Sequence, residues 1–214
     1  MTSRIAFLSL EPDARLAALV RGYKRRVQQL VGDQLYLSDP PHTTLYLAAF
    51  NDLNRVAKAL LRFATQVEPI SVSLIGWHVF SNDALTGNHT LVCHWSEASQ
   101  RAARAIQSGV LKCLAPHRDP KVTEARFAPR WRSLTTAQQK SVLEKGFPFT
   151  GESWHPHLTI ASIRPSDWDA AYGVLCQDPP HFTGAALGLK LYELVENKPK
   201  PILNIPFQTR VMAA

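Results

Sequence analysis

The sequence predicts a duplicated, bilobal α+β domain, and three observations carry that reading. Strand-like and helix-like segments alternate along the whole chain, with no linker that separates two domains. The order strand, helix, strand, helix, strand occurs twice. In each copy the middle strand opens on the same pattern, His42-Thr43-Thr44-Leu45 and His157-Leu158-Thr159-Ile160. We therefore expect one bilobal domain over 1–214, with halves at about 1–90 and 91–214. An insertion belongs to the second half, within about 116–153.

Each element has a local reason. Ile5–Leu10 alternates as a short strand, and Pro12 opens a helix to about Val31 with Leu16, Leu19, Val20, Tyr23, Val27 and Leu30 at helical spacing. Arg21, Lys24 and Arg25 form its basic outer face, a solvated surface by default. Gln34–Leu37 reads as a strand, and the stiff turn Asp39-Pro40-Pro41 delivers the chain to His42. Asn51 or Asp52 caps a helix to about Thr65. Strands follow at Ser71–Phe80 and Thr90–Trp95 around a turn-rich stretch, then a helix at Glu97–Leu114. Pro116–Ser153 is the least regular region, with one short helix capped by Thr135 or Thr136 and running to Lys145. The second motif strand lies in Trp154–Ile163, then a helix from Pro165 or Ser166 to Cys176 and strands at Ala185–Glu193 and Ile202–Gln208. Asn197–Pro201 between those strands reads as a turn.

The repeat can be measured. His42 and His157 are 115 residues apart, whereas the first strands of the two halves, Ile5–Leu10 and Leu91–Ser96, are 86 apart. The difference of 29 residues is the insertion, which contains Arg118, Lys121, Arg126, Arg130, Trp131 and Arg132. Anchored just before a motif strand, it is expected to form a basic lid or substrate-selecting loop.

Composition narrows the function classes. Apolar residues make up 45% and charged residues 19%, as in ordinary globular proteins. No run approaches the ~18 apolar residues of a membrane span, and the first residues do not form a secretory signal. A cytoplasmic monomer with no membrane partner is expected. Cys93, Cys113 and Cys176 have no metal-ligand spacing and read as buried, reduced thiols. A net charge of +7 and a pI near 9.5 favour a polyanionic partner.

In a strand, residues i and i+2 share a face, so each motif projects a His beside a Thr hydroxyl. Packing two such lobes about a pseudo-two-fold axis sets two imidazoles on opposite sides of one phosphorus. One, neutral, can take a proton from water, and the other, protonated, can give one to the departing oxygen. The Thr hydroxyls can donate to non-bridging oxygens as charge develops. The second imidazole does the leaving-group work, so this chemistry calls for no metal and no cofactor. A third His-x-Thr, His181-Phe182-Thr183, is set aside because Gly184 follows in place of an aliphatic residue and the repeat maps His181 onto Gln66. His155, in His155-Pro156-His157, invites a metal reading, but no spacing in the chain announces further ligands.

Pro41-His42-Thr43-Thr44-Leu45 and Pro156-His157-Leu158-Thr159-Ile160-Ala161 resemble the motifs of the 2H phosphoesterase superfamily, in particular its bacterial 2′-5′ RNA ligase-like branch. The resemblance implies two antiparallel sheets lining a central cleft, with helices outside. It assigns His42 and His157 as the acid/base pair and Thr44 and Thr159 as phosphate-binding hydroxyls. It implies opening of 2′,3′-cyclic phosphates of RNA ends or nucleotides to 2′-phosphates, and in some members hydrolysis or ligation of 2′-5′ linkages. Candidate further contacts are Tyr46 and Arg164, each near a motif strand, and Arg130, Trp131 and Arg132 in the insertion. The competing reading is a non-catalytic RNA-binding protein of the same fold, which would have no use for two intact His-x-Thr pairs.

Overall fold

The computed structural model describes residues 3–196 and 198–208. Seven strands form one antiparallel sheet: β1 (Arg4–Pro12), β2 (Thr43–Phe50), β3 (Ile70–Phe80), β4 (His89–Trp95), β5 (His157–Ile163), β6 (His181–Val195) and β7 (Lys198–Pro206). Six α-helices accompany them: α1 (Ala14–Val31), α2 (Leu53–Ala64), α3 (Glu97–Leu114), α4 (Pro120–Phe127), α5 (Thr136–Lys145) and α6 (Trp168–Leu175). No helix among the described residues is long and apolar enough to cross a membrane.

The duplication is visible in the strand order β2-β1-β6-β3-β4-β5. Reversing that order exchanges β2 with β5, β1 with β4 and β6 with β3, which are the pairs that the sequence repeat equates. The pseudo-two-fold therefore passes through the β3–β6 pairing. That pairing also alters the expected layout: the two halves join into one sheet rather than standing as two. Long β6 makes the junction, since His181–Ala186 pairs with β3 while Gly188–Val195 pairs with β7. The edge strands β2 and β5 nevertheless meet, because the Thr43 hydroxyl donates to the His157 carbonyl at 2.6 Å. Opposite edges of a sheet touch only when twist and coiling bring them round.

The local signals explain most boundaries. Asp13, Asp52 and Ser96 cap α1, α2 and α3 by accepting backbone N–H groups, and Thr135 with Gln138 forms a capping box on α5. Leu16, Val20 and Val27 of α1, Val56 and Leu60 of α2, and Val110 and Leu114 of α3 are fully buried in one core.

Several expectations change. Gln34–Leu37 is not a strand. Tyr36 takes φ 71°, which breaks extension, and only a single bridge from Leu35 to Ser162 forms. Lys198–Pro201 belongs to β7 rather than to a turn, because β7 pairs along β6, while Asn197 lies outside the described residues. Of the three free cysteines only Cys93 is buried, and Cys176 is exposed.

The insertion is mostly helical, and α4 opens on Asp119, whose side chain accepts from Val122 N–H, followed by Pro120 in the first turn. Its anchoring bonds run to the outer edge of β2. Asp119 N–H donates to Ala49 O, Ala49 N–H donates to the Thr123 hydroxyl, and Asn51 N–H donates to His117 O. Phe127, Leu134, Val142 and Phe147 join the core. These contacts cover an otherwise unpaired strand edge, so the insertion has a structural role on β2.

Candidate active site

Both motif histidines are fixed in the same way. His42 Nδ1 lies 2.7 Å from Pro40 O, and His157 Nδ1 lies 2.6 Å from His155 O, each the carbonyl two residues upstream. A carbonyl only accepts, so each neutral ring carries its proton on Nδ1 and keeps the Nε2 lone pair for chemistry. Thr44 and Thr159 are half-buried beside them, while the intervening Thr43 and Leu158 are buried on the opposite face. The meeting of the sheet edges through Thr43 and His157 O joins the two motifs into one site.

The surroundings of His42 come from β1, β6 and α1. Phe7 and Tyr192 stack on each other at 4.7 Å, and their rings lie 5.2 and 6.1 Å from His42. Lys190 holds its ammonium 5.2 Å from the Tyr192 ring centre and 3.9 Å from Glu11, whose other oxygen accepts from Ser9 at 2.7 Å. The Tyr192 hydroxyl is buried with no hydrogen-bond partner among the described residues. Lys24 is not on a solvated face. It is 5% exposed and donates to Tyr36 O and to Asp39 O, pinning the turn that presents His42. Burial lowers its pKa to about 8, against the opposing pull of Asp39.

Burial also pushes the His42 pKa below the usual histidine range, opposed by the Pro40 hydrogen bond and by Asp39. The same cause takes His157 to about 4, opposed by its bond to His155 O. Phe80 flanks His157 at 5.1 Å. Beyond it the structure gathers His78, His94 and His155, with His94 paired to His157 in the β4–β5 register.

The family model described as the 2′-5′ RNA ligase superfamily matches residues 10–194, most of the chain. The chain belongs to the 2′-5′ RNA ligase superfamily. Its fold is similar to that of E. coli LigT, solved with NADP+, at a TM-score of 0.54 and 14% identity over 98% of this chain and 100% of that one. It is also similar to TT0787 of Thermus thermophilus, at a TM-score of 0.55 and 16% identity over 95% of this chain and 97% of that one. No curated protein matches the sequence.

Within this superfamily member, the other candidate contacts scatter. Tyr46 is 2% exposed, packs against Phe50 and Phe147, and donates its hydroxyl to Lys145 O at 2.6 Å. By simple alternation it would share a face with Thr44, but a register shift between Leu8 and Ser9 pairs Leu8 with Tyr46 and Ser9 with Thr44. That bulge turns Tyr46 to the core. Arg164 is exposed at the end of β5 and engages Asp167 at 2.8 Å. Trp131 packs half-buried against the core and lines an open groove with Lys121, Glu124 and Leu143. Arg132 is exposed. Burial pushes the Tyr36 phenol up to about 12, and Arg130, also exposed, comes near enough to oppose that shift, beside the turn that leads to His42. His181 is exposed at the start of β6 opposite Ile75, apart from both motifs.

The sequence reading singles out Tyr192 as a ring able to stack on a base but misses its neighbours Phe7, Ser9, Glu11 and Lys190. Their alternation was legible along each strand, but only the β1–β6 register, Phe7 with Tyr192 and Ser9 with Lys190, brings them to His42.

Proposed function

We propose that the protein is a phosphodiesterase that opens 2′,3′-cyclic phosphates, at RNA ends or on nucleotides, to 2′-phosphates. The observation that carries this reading is the matched tethering of His42 and His157, each Nδ1 to the carbonyl two residues back. It leaves two Nε2 atoms as the working groups. One Nε2 takes a proton from the attacking water as the phosphorus–3′ oxygen bond breaks. The other ring, protonated, gives its proton to the departing 3′ oxygen, so the two rings exchange protonation states. Thr44 and Thr159 donate to the non-bridging oxygens. In the free protein, burial holds both rings below the usual range. An anionic phosphodiester between them supplies the negative charge that returns a proton to one. Lys190 and the unpartnered Tyr192 hydroxyl add donors on the His42 side.

A second reading uses the same rings on 2′-5′ linked oligonucleotides, by hydrolysis or ligation, and is favoured by the description of the family model. The test is incubation with an RNA oligonucleotide ending in a 2′,3′-cyclic phosphate, in chelator, comparing the wild type with His42→Ala and His157→Ala. A 2′-phosphate product lost in both variants is expected. No wild-type turnover, or turnover surviving both substitutions, rejects the proposal, and a 2′-5′ linked substrate run in parallel tests the second reading.

A further inference from the structure

His78 on β3, His94 on β4 and His155 just before β5 stand in three different parts of the sequence. The sheet brings one ring nitrogen of each within 4.8 Å of the others. The register explains why. His78 pairs with Val92, two residues from His94 on the same face, and His94 pairs with His157, two residues from His155. A register shift between Leu74 and Trp77 precedes His78, and Trp77 turns the other way to pack on Tyr23. The rings of His78 and His155 lie 4.4 Å apart, those of His94 and His155 4.8 Å, and those of His78 and His94 5.8 Å. His94 Nδ1 is 2.9 Å from His155 Nε2.

We propose that His78, His94 and His155 bind a transition-metal dication of the zinc type, with a fourth position left for water or a phosphoryl oxygen. Zinc–imidazole bonds of about 2.0–2.1 Å in a tetrahedron set ligand nitrogens about 3.3 Å apart. The closest pair here needs to spread by a few tenths of an ångström and the widest to close, both within reach of ring rotation. An all-imidazole set with no thiolate selects zinc, cobalt, nickel or copper over magnesium or calcium. All three histidines are only partly buried, which leaves the site open on one side. Phe80 walls another side, with its ring 4.6 Å from His78 and 5.8 Å from His155. The nearby cation, Arg104, is engaged by Glu152 and by Trp154 O. The His155 and His157 rings are 6.4 Å apart, so an oxygen on the open position would lie beside the motif site. The metal site does not depend on the phosphodiesterase reading, because affinity is measured without turnover.

The test is titration of the chelator-treated full chain with Co2+, read by visible absorption, followed by displacement with Zn2+ and calorimetry. One equivalent of Co2+ giving the intense bands of a tetrahedral site, bleached by Zn2+, is expected. His78→Ala, His94→Ala and His155→Ala should each weaken binding by more than the about 10- to 100-fold that loss of an outer-shell partner costs. Circular dichroism confirms that each variant is folded, and His78→Gln serves where the alanine variant is not. Absence of binding to the wild type overturns the proposal. So does binding that survives all three substitutions, or binding abolished by His42→Ala, which would put the metal on the motif pair.

Discussion

The two halves of the site share a geometry and differ in what surrounds it. In both, a histidine donates Nδ1–H to the carbonyl two residues upstream and stands two residues before a half-buried threonine. Around His42 the neighbours are an aromatic pair, a lysine and a half-buried glutamate, whose pKa desolvation pushes up. Around His157 they are Phe80 and three further imidazoles, with burial taking His155 to about 3. Duplication kept what fixes a tautomer and aims a ring. The strands that flank each ring are free to differ, since they set only field and fit.

Breaking either half tests whether the shared geometry is what matters. His42→Ala and His157→Ala should each lower kcat/KM by about 10²–10⁴-fold, the usual contribution of a positioned acid or base. The double variant should be little worse than the single ones, because the pair acts as a unit. Thr44→Val and Thr159→Val should each cost about 100-fold in kcat, as loss of one donor to developing charge does. If only one of the two matters, the halves are less equivalent than their geometry.

The pH profile sharpens the comparison. A productive free protein needs one ring neutral and one protonated. Both pKa values are depressed, so the protonated ring is lost as pH rises above them. In chelator, kcat/KM should peak below pH 6.5 and fall by about tenfold per pH unit on the alkaline side. The alkaline limb of kcat should lie higher, because the bound phosphate stabilises the imidazolium. An optimum at pH 8 contradicts the assignment.

The smallest effects concern the frame. Thr43→Val removes the hydrogen bond between the sheet edges and should cost about 1 kcal/mol, read in denaturant melts. Tyr46→Phe removes the bond to Lys145 O and should cost about the same. Since the Tyr46 ring packs in the core, this change should shift KM less than Thr44→Val does.

What the sequence determined by itself is whatever depends on neighbours in the chain. Helix caps, the face shared by His and Thr two residues apart, and the Asp39-Pro40-Pro41 turn are local. The repeat is legible for the same reason, because each half spells out its own strands, helices and motif. His181 is set aside on its following Gly184 and on its place in the repeat, and it lies exposed opposite Ile75. Tertiary structure decided what depends on register. A one-residue shift between β1 and β2 sent Tyr46 to the core, and the β3–β6 pairing joined two expected sheets into one. Lys24 read as surface until the folded turn offered it two carbonyls. The insertion's destination followed from the unpaired edge of β2, which no segment of sequence announces. His78, His94 and His155 carry no joint pattern in the chain, because hydrogen-bonded pairing between distant strands is what aligns them.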